Sequence, residues 1–155
     1  GSAPYSDAYT ERIASLADER VRLPGGIWDQ ELLDQLYAGA LVYYHGHSVG
    51  GTNPSLLRAI GAGAAVDAFD VSFNREVLGD AGRYWTGADD VARLVASAEA
   101  DPAAQAARGE LSRERAALYD WDEVADRYEA LCRELAASGP RSDRPSGRRA
   151  GIAPS

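Results

Sequence analysis

The stretch "ALVYYHGHSVGGTNPSLLRAIGAG", residues 40–63, decides the fold. Ala40 to His45 is a continuous run of strand length, rich in aromatic and branched residues, as in a strand buried within a parallel sheet. A loop of small residues follows, from Gly46 to Asn53. Asn53 is a good helix N-cap, and Pro54 suits the first helical position, where a missing N–H costs nothing. The helix so started should run to about Gly61, with Gly63 ending it.

The same alternation continues outward. Upstream, Ser6-Asp7 caps an expected helix running to about Ala17, with Tyr9, Ile13 and Leu16 on one face. "RVRL", residues 20–23, reads as a short strand ended by Pro24-Gly25-Gly26. Asp29 caps a second helix with an apolar stripe of Leu32, Leu33 and Leu36. Downstream, "AAVDAFD" (residues 64–70) is the next expected strand. "RYW" (83–85) is a further one, after the turn Gly79-Asp80-Ala81-Gly82. Asp89-Asp90 opens a helix to about Ala100, and Asp101-Pro102 opens another. Asp120 or Asp122 caps a final amphipathic helix carrying Val124, Tyr128, Leu131 and Leu135. Strands alternating with helices predict an α/β fold, a parallel sheet flanked by helices.

Composition narrows the chemistry. The net charge is -8, and all 16 basic residues are arginine. Without lysine the chain offers neither a Schiff base nor a P-loop cation. Arg141, Arg144, Arg148 and Arg149 face only Asp143 beyond Ser138, so the remainder is more acidic still, which argues against a nucleic-acid partner. The segment 138–155, rich in Pro, Ser, Gly and Arg, reads as a disordered basic tail. The lone Cys132 falls in a helical pattern and reads as packing. No apolar run reaches the ~20 residues of a membrane span. The absence of Met leads us to expect a processed product or an excised piece.

Gly46-His47-Ser48-Val49-Gly50 matches G-x-S-x-G, the pattern of a serine nucleophile. That elbow needs a helix immediately behind the serine and a histidine later in the chain. Here the helix starts at Pro54, and both histidines, His45 and His47, precede Ser48, so a hydrolase survives only if another chain lends the histidine. His45 and His47 would share one strand face, but no third residue at metal-ligand spacing accompanies them, so no metal site is expected. The better reading is a backbone cradle. Gly50 and Gly51 permit close approach of main-chain N–H groups, and the helix starting at Asn53-Pro54-Ser55 favours an anion through its dipole. Open α/β sheets bind ligands at this end of a strand. A tight glycine turn that holds nothing fits the same residues.

"HGHSVGGTNPSLL" followed by "AIGAG", then "FNREVLGDAGRYW", resembles the C-terminal half of bacterial family 4 glycosyltransferases of GT-B fold. The rhamnosyltransferase-type branch of surface-polysaccharide clusters is nearest, and "GGIWDQELLDQLYAGALVYYHG" and "YDWDEVADRYEALCREL" fit the same pattern. The resemblance covers about residues 1–137 and implies a truncated Rossmann-like C-terminal domain that binds a nucleotide-sugar donor. It implies donor-binding roles for Gly50, Gly51, Thr52, Asn53, Ser55, Arg58 and Glu76, with the catalytic residues unknown and no cofactor beyond the donor. It further implies a missing N-terminal acceptor-binding domain and a missing opening strand-and-helix unit, where relatives carry a basic pair for the departing diphosphate. The isolated chain is then expected to be inactive and to self-associate through an uncovered sheet edge. A cytoplasmic location is implied, with any contact at the inner membrane face made through the missing domain.

Two positions depart from that family. Gly50 and Arg58 stand where many members have a Glu pair spaced by seven residues, and the second Glu accepts hydrogen bonds from the donor ribose. Arginine has no acceptor, so Arg58 reads as a solvated helix residue or a phosphate ligand. Asp67 interrupts a strand that is usually apolar, and because an unpaired buried carboxylate is costly it is expected at an exposed sheet face. These departures keep a second reading open, a non-catalytic, degenerate nucleotide-binding module.

Overall fold

The computed structural model describes residues 7–139. In chain order it contains α1 (Asp7–Leu16), α2 (Gln30–Gly39), β1 (Tyr43–His45), α3 (Pro54–Gly61), β2 (Val66–Phe69) and α4 (Ser72–Leu78). A single 3-10 turn, Gly79–Ala81, leads to β3 (Gly82–Trp85), α5 (Ala88–Ala100), α6 (Pro102–Ala116) and α7 (Trp121–Ala137). The protein is α/β, with a small parallel sheet in the order β1-β2-β3 and mostly helices around it. Two compact units divide between Leu118 and Tyr119. Beyond Gly139 the expected tail lies outside the described residues.

Most helix starts follow from their caps. The Asp29 carboxylate accepts from the Leu32 N–H, Asn53 from Ser55, Asp101 from Ala104, and Asp120 from Asp122 and Glu123. Gly63 takes a φ of 78°, a left-handed conformation that glycine adopts without strain, and so ends the turn after α3. The core lies between α3, the sheet and the α4 region, where Leu56, Ile60, Val66, Val77 and Leu78 are fully or almost fully buried. Helix α6 closes on this core through a glycine. A Cβ on Gly109 would sit 2.3 Å from the Gly63 carbonyl oxygen, so only a bare α-carbon allows that approach.

Three expectations need correction. "RVRL" is not a strand. The Asp18 carboxylate accepts from the Arg20 N–H at 2.9 Å and grips its guanidinium, and this local turn competes with extension in a segment that no other strand pairs. No helix is expected between "AAVDAFD" and the turn at Gly79, yet α4 lies there, its N-cap Val71 with no side-chain capping bond, so the usual start signal is absent. Asp67 is not at an exposed face but is completely buried in the central strand β2.

Its burial is resolved by two arginines. Arg83, opposite it on β3, donates twice, Nε to Oδ1 at 2.9 Å and an Nη to Oδ2 at 2.8 Å. Arg108 from α6 adds a third bond at 2.9 Å and also donates to Gln105 Oε1 and to the Val66 carbonyl. Hydrogen bonding to Asp67 raises the pKa of Arg83, while burial lowers that of Arg108. The Tyr44 hydroxyl on β1 is buried as well. Burial first, and the Asp67 charge second, push its pKa up to about 12.

The apolar stripes of the first two helices lie open. Tyr9 and Leu16 of α1 and Leu32 and Leu36 of α2 are exposed, and α2 has no buried residue. Taken by itself, α7 likewise shows an exposed face of Tyr128, Leu131 and Leu135, and Cys132 is exposed there instead of packed. Among the described residues, no helix is long and apolar enough to cross a membrane.

Candidate functional site

The site is the loop from Gly46 to Asn53, between the C-terminal end of β1 and the start of α3. Alternation along β1 sends Tyr43 and His45 to one face of the sheet and Tyr44 to the other. The Tyr43–His45 face meets the helices, with Tyr43 ring edge to face with Tyr37 of α2, their centroids 5.2 Å apart. The Tyr43 hydroxyl lies 3.3 Å from His45 Nδ1 and 3.4 Å from Ser55 Oγ. Ser55 Oγ in turn donates to Asn53 Oδ1 at 2.6 Å. A polar chain therefore runs from the strand end to the helix cap. His45 is buried, and its ring stacks on that of exposed His47 with centroids 4.7 Å apart. Burial, with a smaller contribution from His47, lowers the His45 pKa to about 4, so the ring is neutral near pH 7.

From the next crossover, Asn74 of α4 braces the loop. It is fully buried, and its Nδ2 donates to the carbonyls of His47 at 3.1 Å and Phe69 at 2.9 Å. The loop root is thus tied to the end of β2. Gly46 lies over Trp85, which packs on Phe69 with ring centroids 5.0 Å apart.

Of the residues singled out from sequence, the structure brings Gly50, Gly51, Thr52, Asn53 and Ser55 together at this loop. Gly50 has a φ of 128°, a region that side chains disfavour, and a Cβ on Gly51 would meet nothing within 4 Å. The N–H groups at the start of α3 are not free as expected. Ser55 N–H donates to Asn53 Oδ1, and those of Leu56 and Leu57 donate to the Asn53 carbonyl. The donors on offer are those of the loop itself, since among the described residues no N–H from Gly46 to Asn53 donates to a backbone carbonyl.

The structure separates Arg58 and Glu76 from the loop. Arg58 lies in the last turn of α3 and pairs with Asp34 of α2 at 2.8 Å, both largely exposed, so it links two helices. Glu76 is exposed on α4, two residues and about 200° around the helix from Asn74, which faces the loop. Sequence reasoning missed Asn74 and the Tyr43 hydroxyl. The signal for Tyr43 was strand alternation, which sets it beside His45, whereas Asn74 carried no local signal.

Scanned against models of protein families, the chain matches none, and no relative is found among curated proteins.

Proposed function

We propose that the chain binds the diphosphate of a nucleotide-sugar at the loop Gly46–Asn53, as the donor-binding half of a GT-B glycosyltransferase acting in surface-polysaccharide synthesis. One observation carries this reading. A glycine-rich loop whose N–H groups donate to no backbone carbonyl among the described residues leaves the C-terminal end of a parallel strand and enters a capped helix whose dipole favours negative charge. The resemblance of "HGHSVGGTNPSLL" and "FNREVLGDAGRYW" to the rhamnosyltransferase-type branch supplies the sugar class. A cytoplasmic setting and a Rossmann-like parentage of the sheet belong to the same reading. The strands β1 and β3 each have a neighbour on one side only among the described residues, which suits self-association or pairing with further strands.

A second reading, a nucleotide-binding module without catalysis, is favoured by Arg58. The residue in the ribose-acceptor position of the family is a cation committed to Asp34. Calorimetric titration with dTDP, UDP and their sugar conjugates tests binding, and glycosyl transfer to a lipid-linked acceptor by the full-length gene product, acceptor domain included, separates the two readings. Binding with transfer supports the enzyme, binding without transfer supports the module, and no binding of any nucleotide overturns both.

A further inference from the structure

Two buried side chains at the loop root carry polar atoms that no protein group satisfies, His45 Nε2 and Asn74 Oδ1. Both flank residue 47, one by ring stacking and the other by a hydrogen bond to its carbonyl. Their chemical character follows from counting protons. Asn53 Oδ1 has no hydrogen, so the 2.6 Å contact uses the Ser55 proton. Ser55 Oγ is then an acceptor towards Tyr43, whose single proton must point to it if both tyrosine contacts are to be hydrogen bonds. His45 Nδ1 must therefore carry the proton that bonds the tyrosine oxygen, which leaves Nε2 of the neutral ring a bare acceptor. Asn74 is equally fixed. Its Nδ2 meets two carbonyl oxygens, so the amide cannot flip, and Oδ1 is an acceptor.

We propose that His45 Nε2 and Asn74 Oδ1 form a paired acceptor site for carbohydrate hydroxyls, completing the diphosphate cradle with a subsite that reads O–H donors. The inference rests on the nucleotide-sugar reading and deepens it. Both atoms are sealed from solvent, so the site requires the segment from Gly46 to Gly50 to move when a ligand enters. Neither atom offers a proton or a positive charge, so the pair selects against phosphate itself and for the hydroxyl-bearing part of the ligand. That part is either the ribose or the transferred sugar.

The test uses the 155-residue chain and three kinds of probe: inorganic pyrophosphate, the diphosphates dTDP and UDP, and dTDP-rhamnose with UDP-glucose. His45→Asn keeps an N–H donor toward Tyr43 and deletes Nε2, and should weaken nucleotide-sugar binding about tenfold while leaving pyrophosphate unchanged. Loss confined to the sugar conjugates identifies the transferred sugar, and equal loss with the free diphosphates identifies the ribose. Tyr43→Phe releases the tautomer with little change of shape and should cost about threefold. It keeps the proposal testable should His45→Asn fail to fold. Imidazole nitrogen NMR of the wild type should show the proton of His45 on Nδ1. A proton on Nε2, or equal loss of pyrophosphate and nucleotide-sugar in the variants, overturns the acceptor site. Unchanged affinity in both variants also overturns it while leaving the nucleotide-sugar reading intact. No binding of any probe to the wild type overturns that reading, and the subsite with it.

Discussion

The two faces of this small sheet each hold a polar cluster, and the clusters differ in whether they are closed. On one face, Asp67 is saturated by Arg83 and Arg108, which are themselves bonded to Ser97, Gln105 and main-chain carbonyls. On the other, the chain from Asn53 through Ser55 and Tyr43 to His45 ends on an unpaired nitrogen, beside an asparagine with an unpaired oxygen. The charged cluster is closed at its carboxylate, while the buried Tyr44 hydroxyl beside it has no partner, and the cluster aligns β2, β3 and α6. An open cluster leaves buried polar atoms with a desolvation cost that a ligand relieves.

The sharpest way to break this contrast is to open the closed cluster. Asp67→Ala leaves two guanidinium groups facing each other in a mostly buried site, and should destabilise the fold by about 3 kcal/mol or more. Urea denaturation measures it, and a loss below ~1 kcal/mol would show that water reaches the cluster.

Acid should tell the two faces apart next. The His45 pKa is depressed from an ordinary value near 6.5 to about 4. The unfolded chain therefore binds more protons than the native one between these values. The contribution of His45 to stability is complete above about pH 6.5, declines as pH falls, and levels off below about 4. Denaturation midpoints measured from pH 7 to pH 4 should show this decline, and His45→Asn should flatten it. An unaltered slope in the variant would assign the acid sensitivity to other groups.

A smaller effect concerns the loop alone. Gly51→Val meets no protein atom with its new Cβ, so stability should stay within about 0.5 kcal/mol. The branched side chain still obstructs close approach of a diphosphate, and binding should fall at least about tenfold, ~1.4 kcal/mol. Equal affinity for UDP in wild type and variant would remove the cradle from this loop.

The smallest effects lie outside both clusters. Arg58→Glu exchanges an exposed pair with Asp34 for a like-charge contact, worth under about 1 kcal/mol in stability. Its nucleotide affinity should be equal or better, and a fall would make Arg58 a phosphate ligand. Ser48→Ala should change neither stability nor binding measurably, and stoichiometric labelling of Ser48 by a fluorophosphonate probe would contradict that.

Caps and loop chemistry were legible because they are local. Asp29, Asn53, Asp101 and Asp120 act within three residues of themselves, and each starts the helix that its position announces. The Gly46–Asn53 loop was legible for the same reason, from one strand and one cap close in the chain. α4 was not, since Val71 sends no capping signal and the helix is held by what packs on it.

Order along the chain, parallel-strand character and the place of the glycine loop were properties of the sequence itself, because hydrophobic period, caps and glycine act over a few residues. The fate of the polar residues was decided by tertiary structure. Asp67 is buried because Arg108 arrives from 41 residues away, and a carboxylate changes from costly to tolerated only when such a partner is in place. The placing of His45 and Asn74 against residue 47 is of the same kind. One residue ends a strand and the other lies inside an uncapped helix, and only the packing of α4 against the loop brings both into contact with His47.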